Sequence, residues 1–221
     1  GIGSSSFSGD VDQIVSVPQS YKPFGWHISF CGDLDICGHL KPQGIYRKVL
    51  WNQTDIALAI HVPIPENHTE SISSWGFRNE VQSWSFPDID KGTLLNVNVY
   101  TRVCSYVRVS LNGNEISKKH VGVDTEYTAT FSVEYDPGVI EVSCVEHKTT
   151  KARLVTAGSP HRVQLNADRH EIRSDVNDLS YVTATVVDSK GQRVPYSENE
   201  ITFRIEGSCA RIAAVGNGNP Y

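Results

Sequence analysis

Methionine is absent from all 221 residues. A chain without methionine that opens on Gly1 is expected to be a piece of a longer protein whose start lies elsewhere. Long apolar runs are missing too. The longest, Ile56 to Ile60, falls far short of the roughly 20 residues that a membrane-spanning helix needs, so no membrane span is expected. Lys and Arg form no cluster and the net charge is −5, which argues against nucleic acid and anionic membrane as partners. Cysteine is sparse and odd in number: Cys31, Cys37, Cys104, Cys144 and Cys209 match no disulfide scaffold. Free thiols packed as small apolar groups are the expectation, with a Cys31–Cys37 disulfide as the alternative. The gap between Cys31 and Cys37 is too long for a common zinc knuckle. His61, His68, His161 and His170 show no ligand spacing, so neither a metal nor another cofactor is expected.

Helical periodicity is scarce and confined to one place. Residues 31–51 read as a Gly-punctuated loop feeding a short helix over 42–51. Pro42 suits the first helical turn, where a missing N–H costs nothing. Tyr46, Val49 and Leu50 share one face at spacings of three and four. About ten residues cannot hold a helix alone in water, so this one must dock on something. Residues 1–30 are rich in Ser, Gly, Pro and aromatics with little pattern.

Beyond Trp51 the period becomes two. Ile56 to Val62 reads as a strand, followed by a turn-rich stretch through Ser74. Leu95, Val97 and Val99 alternate with polar residues, as do Val107, Val109 and Leu111. Asn112-Gly113 is the strongest short hairpin signal in the chain. Tyr127, Ala129, Phe131, Val133 and Tyr135 form one strand face, and Ile140, Val142 and Cys144 another, with Arg153 to Val155 closing the set. About seven strands at such spacings suit an antiparallel sandwich. Trp75 and Trp84 flank a polar segment; buried they are core anchors, exposed they are a binding platform together with Tyr100.

Thr156 to Pro160 reads as a boundary. Strands are expected after it at Val163 to Leu165, Tyr181 to Val187, Ile201 to Ile205 and Ala210 to Val215, with Ile172 on a short edge. Sixty-five residues, 157–221, are short of the about 100 of an immunoglobulin-like sandwich, so that unit is expected to be incomplete. The fold class is therefore mainly β: two antiparallel immunoglobulin-like sandwiches in tandem, 55–156 and 157–221, preceded by a loop-and-helix segment, 1–54.

Several motifs resemble one family, in order. Gly32-Asp33-Leu34-Asp35 leading into Lys41-Pro42 and Tyr46-Arg47, and ending in Leu50-Trp51, resembles the end of the catalytic (β/α)8 barrel in bacterial family 2 glycoside hydrolases of the beta-galactosidase type. Val99-Tyr100-Thr101 and Val107 to Gly113 resemble the domain after the barrel. Thr156 to Pro160, Asp178 to Val182 and Val215 to Pro220 resemble the domain after that. The resemblance implies that residues 1–54 are a barrel remnant and that the partners are the rest of the barrel, the N-terminal domains and a carbohydrate. It implies a periplasmic or secreted protein. It also places both catalytic glutamates upstream, so that this chain holds no catalytic residue and is inactive alone.

Trp26 then becomes a candidate sugar platform, with a core anchor as the alternative. Asp33 and Asp35 are read as loop-capping residues, or as groups at the mouth of a sugar site. Trp75 and Trp84 complete the candidate sugar-binding set. The competing functions are an autonomous carbohydrate-binding module, which needs exposed aromatics in a row, and a structural immunoglobulin-like array without a ligand.

Overall fold

A computed structural model of the chain describes residues 5–8, 14–15, 32–35, 37–64, 69–72, 77–147, 149–174 and 177–217. In chain order the elements are β1 (Ser5–Ser8), β2 (Ile14–Val15), α1 (Pro42–Leu50), β3 (Ile56–His61), β4 (Thr69–Ile72), β5 (Glu80–Val81), β6 (Leu94–Thr101), β7 (Tyr106–Leu111), β8 (Asn114–His120), β9 (Thr128–Glu134), β10 (Val139–Cys144), β11 (Lys151–Val155), β12 (Arg162–Ala167) and β13 (Val182–Val187). A single 3-10 turn, Val123–Thr125, precedes β9.

Eight of these strands form two four-stranded sheets, β5-β3-β6-β9 and β11-β10-β7-β8. Every pairing in them is antiparallel. Alternation decides what lies between the sheets. Ile56, Leu58 and Ile60 of β3 pack with Leu95, Val97 and Val99 of β6 and Ala129, Phe131 and Val133 of β9. From the other sheet Val107, Val109, Leu111, Ile140 and Val142 meet them. Burying a side chain of this size is worth about 1.5–3 kcal/mol, so this core carries the stability of the molecule. Trp84 closes one end. It is wholly buried, its ring lies edge-on to Tyr135 at 5.1 Å, and its indole N–H donates to the Asp136 carbonyl at 3.0 Å. Trp84 is thus a core anchor with no ring face open to a sugar.

The hairpin signal at Asn112-Gly113 is a real turn. Both residues sit at positive φ, 52° and 84°, and join β7 to β8. That is the backbone a two-residue hairpin requires.

The cysteines correct the sequence reading. Cys104 and Cys144 are not free thiols but a disulfide inside the sandwich, with Cα atoms 5.5 Å apart. Cys104 lies in the link that carries the chain from one sheet to the other, and Cys144 ends β10. Both are buried in the core between the sheets, and only the packing of the sandwich brings them together. Cys37 is exposed and free, so it is not bridged to Cys31, and Cys31 itself lies outside the described residues.

After Ala157 the chain forms a two-stranded antiparallel sheet, β12 with β13, in register from Arg162 opposite Val187 to Ala167 opposite Val182. The strands expected at Ile201 to Ile205 and Ala210 to Val215 are not formed, and Ile172 is not in a strand. Neither stretch joins a sheet among the described residues, and alternation alone does not make a strand without a partner for its N–H and C=O groups. Val163, Leu165, Phe203 and Ile205 consequently stay exposed. Asp188 ties this unit to the segment that leads into it from the sandwich. Its carboxylate accepts the N–H groups of Gly158 at 2.9 Å, Lys190 at 2.8 Å and Gln192 at 2.9 Å.

A third, small sheet, β2-β1-β4, is made by residues that carry no apolar alternation. Its ladder runs from Ser5 opposite Ile72 to Ser8 opposite Thr69. Backbone hydrogen bonds suffice for it, which is why neither segment reads as a strand in sequence.

Candidate functional site

Strand β3 is apolar on both faces, and its second face explains where α1 goes. Ala57 and Ala59 point away from the sandwich core and are buried, together with Tyr100 of β6, beneath Ile45 and Val49 of the helix. Two alanines leave room for a helix to lie close. The helix face is rotated relative to the sequence reading: Ile45 and Val49 are the buried residues, whereas Tyr46 and Leu50 are half-buried. Pro42 occupies the first turn and Arg47 and Lys48 the last, where their charge suits the helix dipole.

Three segments clamp the helix from the sides. The Tyr46 ring packs 5.1 Å from Tyr100 and 6.0 Å from Phe77, and its hydroxyl donates to the Glu126 carbonyl at 2.8 Å. Burial, reinforced by Glu126, pushes the Tyr46 hydroxyl pKa up. Arg102, in the link after β6, donates to the Leu50 carbonyl at the open end of the helix. Glu126 and Tyr127 both hold left-handed backbone, with φ of 51° and 57°. Such backbone costs on the order of 1 kcal/mol or more for non-glycine residues, and the Tyr46 hydroxyl holds the first of the two carbonyls in place.

Beside the helix, on the same face, lies a buried polar network that the sequence did not reveal. Glu80 of β5 is 1% exposed. Its carboxylate accepts from the Asn98 amide at 2.6 Å and from the Tyr100 hydroxyl, and pairs with Arg78 Nε at 3.1 Å. Thr130 donates to the Asn98 side-chain oxygen at 2.6 Å, which ties β9 into the set. Burial pushes the Tyr100 hydroxyl pKa far up, and the Glu80 carboxylate adds to the rise, so Tyr100 stays protonated and donates. Burial alone would lower the Arg78 pKa, but Tyr100 and Glu80 outweigh it and raise it. The only trace in sequence is that Asn98 and Tyr100 share the strand face opposite Val97 and Val99.

The loop before α1 holds the two candidate aspartates, and each is engaged locally. Asp33 pairs with Arg47 of the helix, and its carbonyl accepts the Lys41 N–H at 2.7 Å. Asp35 Oδ1 accepts the N–H groups of Cys37 at 2.8 Å and His39 at 2.9 Å, while Oδ2 lies 3.1 Å from His39 Nδ1. Burial pulls the Asp35 carboxyl pKa up. The His39 and Cys37 donors together outweigh it, and the net shift is downward. Gln43 reaches back from the helix and donates to the Gly32 carbonyl at 2.6 Å. The structure thus brings Asp33 and Asp35 together with α1 and leaves Trp84 on the far side of the sheet in the core. Trp26 and Trp75 lie outside the described residues. Tyr100, the further aromatic considered for a binding platform, is fully buried. Among the described residues no cluster of three or more His, Cys, Asp or Glu is suited to a metal ion, and no helix is long and apolar enough to cross a membrane.

A sandwich that gives one outer sheet face to a helix and its loop defines a β-sandwich region joined to a further structural unit. Comparison with known proteins gives that region its family. Residues 163–221 match the glycoside hydrolase family 2 C-terminal domain 5, and residues 92–151 match a domain of unknown function (DUF4982). Over 202 residues the chain is 27% identical to a beta-galactosidase of Bacteroides ovatus, covering 90% of this chain and 21% of that protein. It is 29% identical over 140 residues to a putative beta-glucuronidase of Formosa agariphila, covering 62% of this chain and 13% of that protein. Among solved structures, a glycosyl hydrolase family 2 member from Bacteroides cellulosilyticus DSM 14838 superposes with a TM-score of 0.65 at 34% identity, over 74% of this chain and 22% of that one. The chain corresponds to the C-terminal region of glycoside hydrolase family 2 proteins. It spans about a fifth of the length of the Bacteroides relatives it matches.

Proposed function

We propose that the chain is the non-catalytic C-terminal region of a retaining, beta-galactosidase-like family 2 glycosidase, which supports the catalytic barrel and flanks its sugar site. Retaining glycosidases work through two carboxyl groups about 5–5.5 Å apart, one as nucleophile and one as acid/base. In this reading the barrel supplies both, and this chain holds the barrel's last helix in position. The observation that supports it is the seating of α1 on Ala57, Ala59 and Tyr100 of the sandwich. Asp33 is occupied in pairing with Arg47 of that helix, and Asp35 in capping the loop before it. The names of the relatives favour O-glycosides of galactose as substrates. The Cys104–Cys144 disulfide suits an oxidising compartment, and the proposal includes a periplasmic or secreted location.

The test is hydrolysis of a panel of nitrophenyl glycosides by this chain and by the full-length parent. The parent alone is expected to release nitrophenol, fastest from the β-galactoside. Turnover by the 221-residue chain itself would overturn the non-catalytic reading, and Asp33 and Asp35 would be the first residues to substitute.

A further inference from the structure

Where the sandwich meets the β12–β13 unit, a cleft of about 210 Å³ opens between Gln82, Ser83 and Arg153 on one side and Gln192 and Arg193 on the other. Its charge is one-sided: two arginines line it and no acidic residue does, in a chain whose net charge is −5. Neighbouring cations are spoken for. Lys151 pairs with Glu141, and Arg108 with Glu115. The side chains of Arg153 and Arg193 make no ion pair or hydrogen bond among the described residues. Two arginines at one cleft, neither of them held by a carboxylate among the described residues, are suited to a carboxylate or sulfate, which Arg binds bidentately. The rest of the lining is Gln82, Ser83, Ser85 and Gln192 with the apolar Leu154, Val155 and Pro195. The Gln82 amide also donates to the Leu58 carbonyl at 3.5 Å and the Ser83 hydroxyl accepts the Ser85 N–H at 3.0 Å; the amides and hydroxyls keep further donors and acceptors of the kind that sugar hydroxyls need. The volume is below the roughly 300 Å³ at which sites for drug-sized ligands begin, so it fits a single ring and not a chain of several.

We propose that this cleft between the two β units is a binding site for one acidic monosaccharide unit, a hexuronate or a sulfated hexose, with Arg153 and Arg193 holding its anionic group. The two sources share one chemistry, a single anionic group on a polyhydroxylated ring. This site goes beyond the role proposed above and does not depend on it. Junctions between structural units are common places for small-ligand sites, and the link between the two walls is held on both sides, by the Ala157 N–H donating to Ser85 Oγ at 2.9 Å and the Gly158 N–H donating to Asp188 at 2.9 Å.

The test is a titration of the isotopically labelled chain, followed by NMR, with glucuronate, glucose 6-sulfate, neutral glucose and inorganic sulfate. For a ligand of this size a dissociation constant on the order of 1 mM is expected. Saturable shifts at the Gln82 and Gln192 side-chain amides with glucuronate or the sulfated sugar, weakened roughly tenfold or more in Arg193→Gln and in Arg153→Gln, would support the proposal. Whichever of the two binds more tightly identifies the source. Both arginines are exposed, so the variants are expected to keep the amide spectrum of the sandwich core. Equal binding of neutral glucose would overturn anion recognition. Inorganic sulfate binding as tightly as the sugars would overturn the sugar half and leave a bare anion site. No shift with any probe, or shifts confined to other surfaces, would overturn the proposal as a whole.

Discussion

Glu80 shows how much one residue can depend on its surroundings. It sits on a two-residue strand, yet its carboxylate is buried and gathers the buried Asn98 and Tyr100 and the half-buried Arg78. A satisfied buried carboxylate is tolerable, while an orphaned set of buried donors is not, at about 1–3 kcal/mol each. Glu80→Ala strands the Asn98 amide and the Tyr100 hydroxyl, and is expected to cost about 3 kcal/mol or more in urea unfolding. Glu80→Gln, which keeps an acceptor, should cost less. Equal costs for the two would mean that the charge, not the hydrogen bonds, matters at this position.

Asp35 makes a prediction of a different sign and size. Its folded pKa lies below the ordinary 3.8, because the His39 and Cys37 N–H groups bind the ionised form. A depressed carboxyl pKa adds stability that is fully present above the ordinary value and is lost as pH falls through the folded value. Amide protection factors at Cys37 and His39 are expected to fall below about pH 4, and Asp35→Asn is expected to remove that dependence. Protection that stays flat through this range in the native chain would place the cause elsewhere.

At the scale of the element, α1 is stable only by contact. Nine residues with no side-chain N-cap cannot persist alone. What holds them is the alanine floor of β3, the Tyr46–Tyr100–Phe77 cluster, and the close approach of the loop at Gly44. A Cβ built on Gly44 would lie 2.6 Å from Leu40 Cδ1 and 2.9 Å from Asp33 Cβ. On propensity alone Gly44→Ala should favour the helix by about 1 kcal/mol. Here the clash should win, with a net loss of about 1–3 kcal/mol as for other overpacked sites. Hydrogen exchange across Pro42–Leu50 reads it directly: faster exchange in the helix with the sandwich strands unchanged is the expected result, and slower exchange would refute the close approach.

The helix and the hairpin were legible in sequence for local reasons. Pro42 and the three-and-four spacing mark the first, and Asn112-Gly113 marks the second. The unformed strands at Ile201 to Ile205 and Ala210 to Val215 were misread for the opposite reason. Alternation reports which residues share a face; it cannot supply the neighbouring strand that completes the ladder.

For the whole molecule, the disulfide is the feature with the largest consequence. It closes a loop of 40 residues between the sheet-to-sheet link and the end of β10. In the chain-entropy account such a loop stabilises by about 4 kcal/mol. Cys104→Ala with Cys144→Ala is therefore expected to lower the urea midpoint substantially, and a reducing agent should do the same to the native chain. Coincident unfolding curves with and without reductant would contradict the bridge.

The sequence by itself determined the mainly β antiparallel class, the strand faces, one tight turn, the docking need of a short helix and the family to which the motifs point. These follow from periods of two and of three to four, and from residues a few places apart. Only the tertiary structure decided that Cys104 meets Cys144, that Glu80 is buried among Asn98, Tyr100 and Arg78, that Trp84 faces the core, and that Arg153 and Arg193 share a cleft. Those pairs lie far apart along the chain, and whether they meet depends on how two sheets pack and where a helix settles. Alternation fixes which way a side chain points, but not what waits there.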